Sequence, residues 1–166
     1  SNETGEFDHI KNILAQNIPL VLFFFFSKLV NCSKVTINDR KAAYDATTFL
    51  IKKGRKRIAH FRGSYMPQNS IDRFLGYKKA LEDHNIPYDS SLVYVCDNNT
   101  DLEDGYANAI KAIAEHPDLD GIFTVTDMVA VGVLKYLNEL GIPIPKKIAI
   151  VGFGNSFVTE VTTPKL

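Results

Sequence analysis

Apolar positions along the chain recur in two ways: as short continuous runs, and at spacings of three and four residues. Alternation of the two is the pattern of parallel strands joined by crossover helices. The spacing predicts a first helix over 7–16, with Ile10, Ile13 and Leu14 on one face. Asn17-Ile18-Pro19 stops it before a strand over 20–25. A short strand over 34–37 follows a polar turn. Asp39 is then read as the cap of a helix to about Lys53, with Ala43, Ala46 and Leu50 as its buried stripe and Gly54 as its end.

From there the rhythm is regular. A strand over 57–61 leads through the loop 62–69 to a helix over 70–84, with Phe74, Tyr77 and Leu81 inward. A strand over 92–96 leads to a helix opened by Thr100 and Glu103, a capping-box spacing, and running to about Glu115. A strand over 121–125 leads to a helix capped by Asp127, with Ala130, Val133, Leu137 and Leu140 inward and Gly141 as the stop. A last strand covers 148–153. The expected fold class is α/β, with Rossmann-like parallel sheet and helices on both faces. An inner strand needs a neighbour on each side, yet the chain opens with one helix and two strands and stops soon after a strand. The expected division is therefore a partial N-terminal lobe over 1–37, a C-terminal lobe over 38–155, and a return segment over 156–166 toward the N-terminal lobe. The crossings fall near Asn38 and Asn155.

Composition narrows the function. Of 166 residues, 45% are hydrophobic and 23% charged, which is ordinary globular chemistry, and 19 basic side chains balance 19 acidic ones. With no basic block, this chain is not expected to hold DNA by itself. The longest apolar run, Leu20 to Phe26, is far short of the roughly 20 residues of a membrane helix, so no membrane partner is expected. Cys32 and Cys96 stand alone, without a CxxC, and read as buried small side chains of a protein in a reducing cytoplasm.

In open parallel sheets, ligands bind where the carboxyl ends of the strands meet helix N-termini. The loops at that end carry Asn69, Arg73, Asn98, Asn99, Asp127 and Asn155. Amides, a guanidinium and a carboxylate suit adjacent hydroxyls of a sugar, and Phe24, Phe25 or Tyr65 could stack on its apolar face. Each has a structural alternative: Arg73 as half of a salt bridge, Asp127 as a helix cap, Asn69 and Asn98 as turn-closers. On the ligand reading, Arg73→Ala leaves folding intact. Gly152-Phe-Gly154 lacks the third glycine of a dinucleotide loop, there is no G-x-S-x-G and no phosphate loop, and the four histidines have no metal-binding spacing. No enzyme activity, metal or cofactor is expected. His60 reads as a packed strand residue, and Arg55-Lys56-Arg57 as a solvated turn at the amino end of the sheet.

Five ordered motifs carry a resemblance. They are Gly54-Arg-Lys-Arg-Ile-Ala-His-Phe-Arg-Gly63, Arg73-Phe-Leu-Gly-Tyr77 with Ala80-Leu81, Thr126-Asp127-Met-Val-Ala130, Ile144-Pro145-Lys-Lys-Ile-Ala-Ile-Val-Gly-Phe153, and Pro164-Lys-Leu166. Together they resemble the effector-binding core of LacI/GalR-family transcriptional regulators, over nearly the whole chain. The resemblance implies a periplasmic-binding-protein-like type I fold of two lobes around a small effector, most often a carbohydrate. It also implies a homodimer in the cytoplasm, and operator DNA bound through a helix-turn-helix domain that this chain does not contain. The chain then reads as an interior portion of a longer regulator; the alternative is a periplasmic sugar-binding protein of the same fold. By position, the family's effector residues carry over to Asp39, Asn69, Arg73 and Asp127. Three positions depart: Phe24-Phe25 replaces an Asp-Arg pair, Thr126 an Asn, and Gly154 an Asp. Gly154 either costs the site a ligand or serves a backbone with positive φ.

Overall fold

The computed structural model describes residues 8–23, 30–65, 67–96 and 101–166. Helix α1 (Asp8–Ala15) precedes two short parallel strands, β1 (Val21–Phe23) and β2 (Ser33–Val35), which among the described residues pair only with each other. The expected strand over 20–25 is thus shorter in its described part, and exposed: Phe23 is 66% accessible. Helix α2 (Asp39–Lys52) then opens the main layer structure. It continues with β3 (Ile58–Gly63), α3 (Gln68–Asp83), β4 (Val93–Cys96), α4 (Leu102–Glu115), β5 (Gly121–Thr124), α5 (Asp127–Glu139) and β6 (Ala149–Val151). The second sheet is parallel throughout, in the order β4-β3-β5-β6, as the βα rhythm predicts.

The period of two along each strand sorts the core into two layers. Ala59, Phe61 and Ile122 face α4 and α5, where they meet Ala109, Ala112, Val129, Val133 and Leu137. Ile58 and Phe123 face the other way, against Ala43 and Leu50 of α2 and Tyr77 and Leu81 of α3. Helices therefore cover both faces, and the fold class is α/β as the pattern implies. On one face α4 and α5 touch through glycines. A Cβ on Gly105 would strike the Val129 carbonyl, and one on Gly132 the Leu102 carbonyl.

Helix α3 begins at Gln68, two residues before the expected start, which puts Asn69 in the helix rather than in the loop 62–69. Three other helix starts differ from the sequence reading by one residue. Asn38 rather than Asp39 caps α2, accepting from the Lys41 amide at 2.9 Å. Thr126 rather than Asp127 caps α5, and Asp101 caps α4, accepting from the Asp104 amide. Thr100 lies outside the described residues. Freed from capping, Asp39 and Asp127 sit 5% exposed in the first turns of their helices. The Arg55-Lys56-Arg57 segment is likewise more than a solvated turn. Arg55 donates to the carbonyl of Pro145, the Lys56 and Arg57 amides donate to Asp120, and Arg57 pairs with Asp89 and Asp118. It latches the amino end of the sheet. Of the two cysteines, Cys96 is buried and Cys32 half-buried.

His60 is fully buried in the α3-facing layer, with its ring stacked near those of Phe74, Tyr77 and Phe123. Nδ1 lies 3.0 Å from the Phe123 carbonyl. A carbonyl only accepts, so Nδ1 carries the proton and Nε2, which is buried without a partner among the described residues, carries none. Burial drives the pKa of the ring from 6.5 to about 3.

Candidate effector site

The buried charges of the carboxyl end converge on Arg73. From α3 its Nε and Nη2 donate to Asp39 Oδ1 of α2, at 2.8 and 2.7 Å. Its Nη1 donates to the carbonyl of Val125, just past β5, at 2.6 Å. The guanidinium lies 3.7 Å from the ring centre of Phe153, just past β6. One side chain thus ties together two helices and the ends of two strands, while 8% exposed. Burial lowers its pKa, and the facing Asp39 carboxylate works the other way. Both bonds from Arg73 fall on one oxygen of Asp39. Beside this carboxylate opens a cavity of about 490 Å³, lined by Thr36, Ile37, Asn38, Arg40 and Asp72 as well as Asp39.

Asp127 has a different task. Its Oδ2 accepts from the Ser156 amide at 2.7 Å, which staples the loop after β6 to the start of α5. Gly152 permits that approach, because a Cβ there would press on Asp127 Oδ1. Asn155 lies in this stapled loop, exposed, with φ of 54°. Asn69 sits half-buried in the first turn of α3, its Oδ1 accepting from the Ser70 amide. The structure therefore places Asp39, Asn69, Arg73, Asp127 and Asn155 at one end of the sheet, with Asp39 and Arg73 in direct contact. Asn98, Asn99, Phe24 and Phe25 lie outside the described residues. Tyr65, 64% exposed, stacks on Arg62 at 4.1 Å.

Residues that the sequence reading passed over also belong here. Phe153 is the platform under Arg73. Arg62 is 3% exposed between the rings of Tyr65 and Phe74. The period-two register of Ile58, His60 and Arg62 was the available signal: it sends Arg62 toward the helix layer.

The second reading of Gly154 fits the backbone. Its φ is +132°, and a Cβ would lie 3.0 Å from Asp127 Oδ2. A carboxylate there meets both a backbone that disfavours side chains and a like charge. Gly154→Asp is therefore expected to lower stability by about 1 kcal/mol or more, read as a reduced melting temperature. A rise, with tighter sugar binding, would restore the reading of Gly154 as a lost ligand.

Residues 47–166 match the family of periplasmic binding protein-like domains. The chain belongs to that family. Its relatives are transcriptional regulators. It is 29% identical over 152 residues to an HTH-type transcriptional regulator of Lachnoclostridium phytofermentans, covering 92% of this chain and 45% of the relative. It is 37% identical over 134 residues to the HTH-type transcriptional regulator RegA of Clostridium acetobutylicum, covering 80% and 39%. The chain thus spans about half the length of the curated relatives it matches. Among solved structures it superposes on the regulator CcpA of Lactococcus lactis with a TM-score of 0.87 at 29% identity, over 97% of this chain and 58% of that one. A complex of the transcriptional regulator CelR with cellobiose gives 0.83 at 28% identity, over 90% and 46%. The fold and the LacI-type kinship that the five motifs implied are both present.

Proposed function

We propose that this chain is the effector-sensing part of a LacI-type transcriptional regulator, not an enzyme. The observation that carries this reading is the gathering of Asp39, Arg73, Asp127 and Phe153 at the carboxyl end of a parallel sheet, with Asp39 lining a cavity of small-molecule size. Asp39 accepts from effector hydroxyls, Asn155 can both accept and donate, the uncommitted N–H groups of Arg73 add charge-assisted bonds, and Asn69 adds its amide group from the first turn of α3. The effector is a carbohydrate or a molecule of similar polarity, a reading supported by the cellobiose complex of a relative.

Residues 1–37 contribute to a first lobe, 38–155 form the second, and 156–166 return toward the first. Closure about the crossings near Asn38 and Asn155 re-aims paired helix-turn-helix heads on operator DNA, in the cytoplasm. Relatives with HTH in their names support this arm of the reading. A homodimer is the working unit. Its support is the exposed apolar surface of Met128 on α5 together with Phe157 and Val161 in the 3-10 turn packed against α5. Among the described residues no helix is long and apolar enough to cross a membrane. The coding sequence upstream of Ser1 tests the regulatory reading: a helix-turn-helix is expected, and a signal peptide would replace the regulator with an exported sugar-binding protein.

A further inference from the structure

Two side chains, Arg62 at the end of β3 and Ser70 in the first turn of α3, carry donors without a protein acceptor among the described residues, and that of Ser70 is buried. Arg62 is 3% exposed, and among the described residues its guanidinium makes one hydrogen bond, from Nε to the carbonyl of Gly63 at 3.1 Å. No carboxylate among them pairs with it, whereas Arg73 has Asp39. The rings of Tyr65 and Phe74, at 4.1 and 4.4 Å, hold its plane from both sides, so its Nη1 and Nη2 edge is fixed in advance of any ligand. Ser70 is the second donor: it is 3% exposed and its Oγ is buried with no partner. Ser70 and Phe74 are four residues apart on α3, so the hydroxyl lies one turn above the ring that carries Arg62. Their helix is 16 residues long, and Pro67 at its N-cap offers no side-chain acceptor to the first amides. The Ser70 amide donates to Asn69 Oδ1 and the Ile71 amide to the Pro67 carbonyl, so among the described residues the amides of Gln68 and Asn69 are the ones left at this helix start. With a fixed guanidinium edge and an unpartnered hydroxyl they form a donor set that an anion completes.

We propose that the effector of this chain carries an anionic group, a phosphate or a carboxylate, held by Arg62 and Ser70 at the amino end of α3. The proposal rests on the effector reading above and makes Arg62 the residue that selects charged over neutral ligands. The test is an NMR titration of the 166-residue chain with inorganic phosphate and, separately, with acetate, at constant ionic strength. It reads the Arg62 Nε–Hε resonance and the amides of Gln68 and Asn69. These signals are expected to move together and saturate, and the anion that binds more tightly names the group. Arg62→Met keeps an unbranched stem between the two rings and is expected to weaken that anion about tenfold or more. Ser70→Ala is expected to weaken it about threefold. If the methionine variant does not fold, Arg62→Lys, which keeps the charge without the planar fork, is expected to weaken binding about threefold. Absence of a saturable shift with either anion, or unchanged affinity in the Arg62 variants, overturns the proposal. A third arm with glucose separates the two readings: shifts at Asp39, Arg73 and Asp127 without any anion response leave the effector site standing and remove the anion.

Discussion

Arg73→Ala is expected to destabilise the folded chain by about 3–5 kcal/mol, the cost of leaving a buried charge without its partner. Asp39 is 5% exposed, and the two bonds it receives from the guanidinium are the ones that make a carboxylate tolerable there. The same change removes the donor to the Val125 carbonyl and the cation over Phe153. The ligand reading of the sequence alone leaves folding untouched in this variant, and the buried pair adds a folding term to any loss of binding. The double variant Arg73→Met with Asp39→Leu removes both charges while filling the volume, so it is expected to lose less than Arg73→Ala alone. Urea denaturation of the single and double variants measures the coupling. Additive losses below about 1 kcal/mol each would show that the pair contributes little to the fold.

Acid is expected to weaken the chain through His60. The unfolded ring takes up a proton as pH falls through 6.5, while the buried ring stays neutral down to about 3. Between those values the unfolded state binds more protons, so stability falls as pH falls and is fully present only above 6.5. The slope for this one group is about 1.4 kcal/mol per pH unit, which makes a loss of about 2 kcal/mol between pH 7 and pH 5. His60→Phe, which keeps a flat ring between Tyr77 and Phe123, is expected to remove most of that slope. Parallel denaturation curves at pH 7 and pH 5 measure it. An equal loss in wild type and variant would assign the acid sensitivity to other groups.

The elements were legible because their signals are local. The short, mostly apolar run through Ile58, Ala59, His60 and Phe61, buried on both faces, and helical spacing through Phe74, Tyr77 and Leu81 are each visible in a short window. The division of charge at the site was not local. Asp39 reads as a cap because an acidic residue at a helix start ordinarily is one. That it faces Arg73 depends on how α2 lies against α3, which no short window contains. The same holds for Asp127, whose partner, the Ser156 amide, lies 29 positions along the chain. Arg62 was hidden for another reason: an arginine beside a loop reads as solvated until the rings of Tyr65 and Phe74 are seen on either side of it.

The central claim is that this chain takes its effector at the carboxyl end of the sheet. Amide mapping of the chain titrated with a panel of neutral sugars and their phosphates tests it most directly. The shifts are expected in 36–40, 69–73, 125–127 and 152–156, around Asp39, Arg73, Asp127 and Asn155. Shifts gathered instead at the opposite end, around the cavity of about 450 Å³ lined by Arg55, Lys56, His84 and Pro87, would contradict the account, as would binding by no member of the panel.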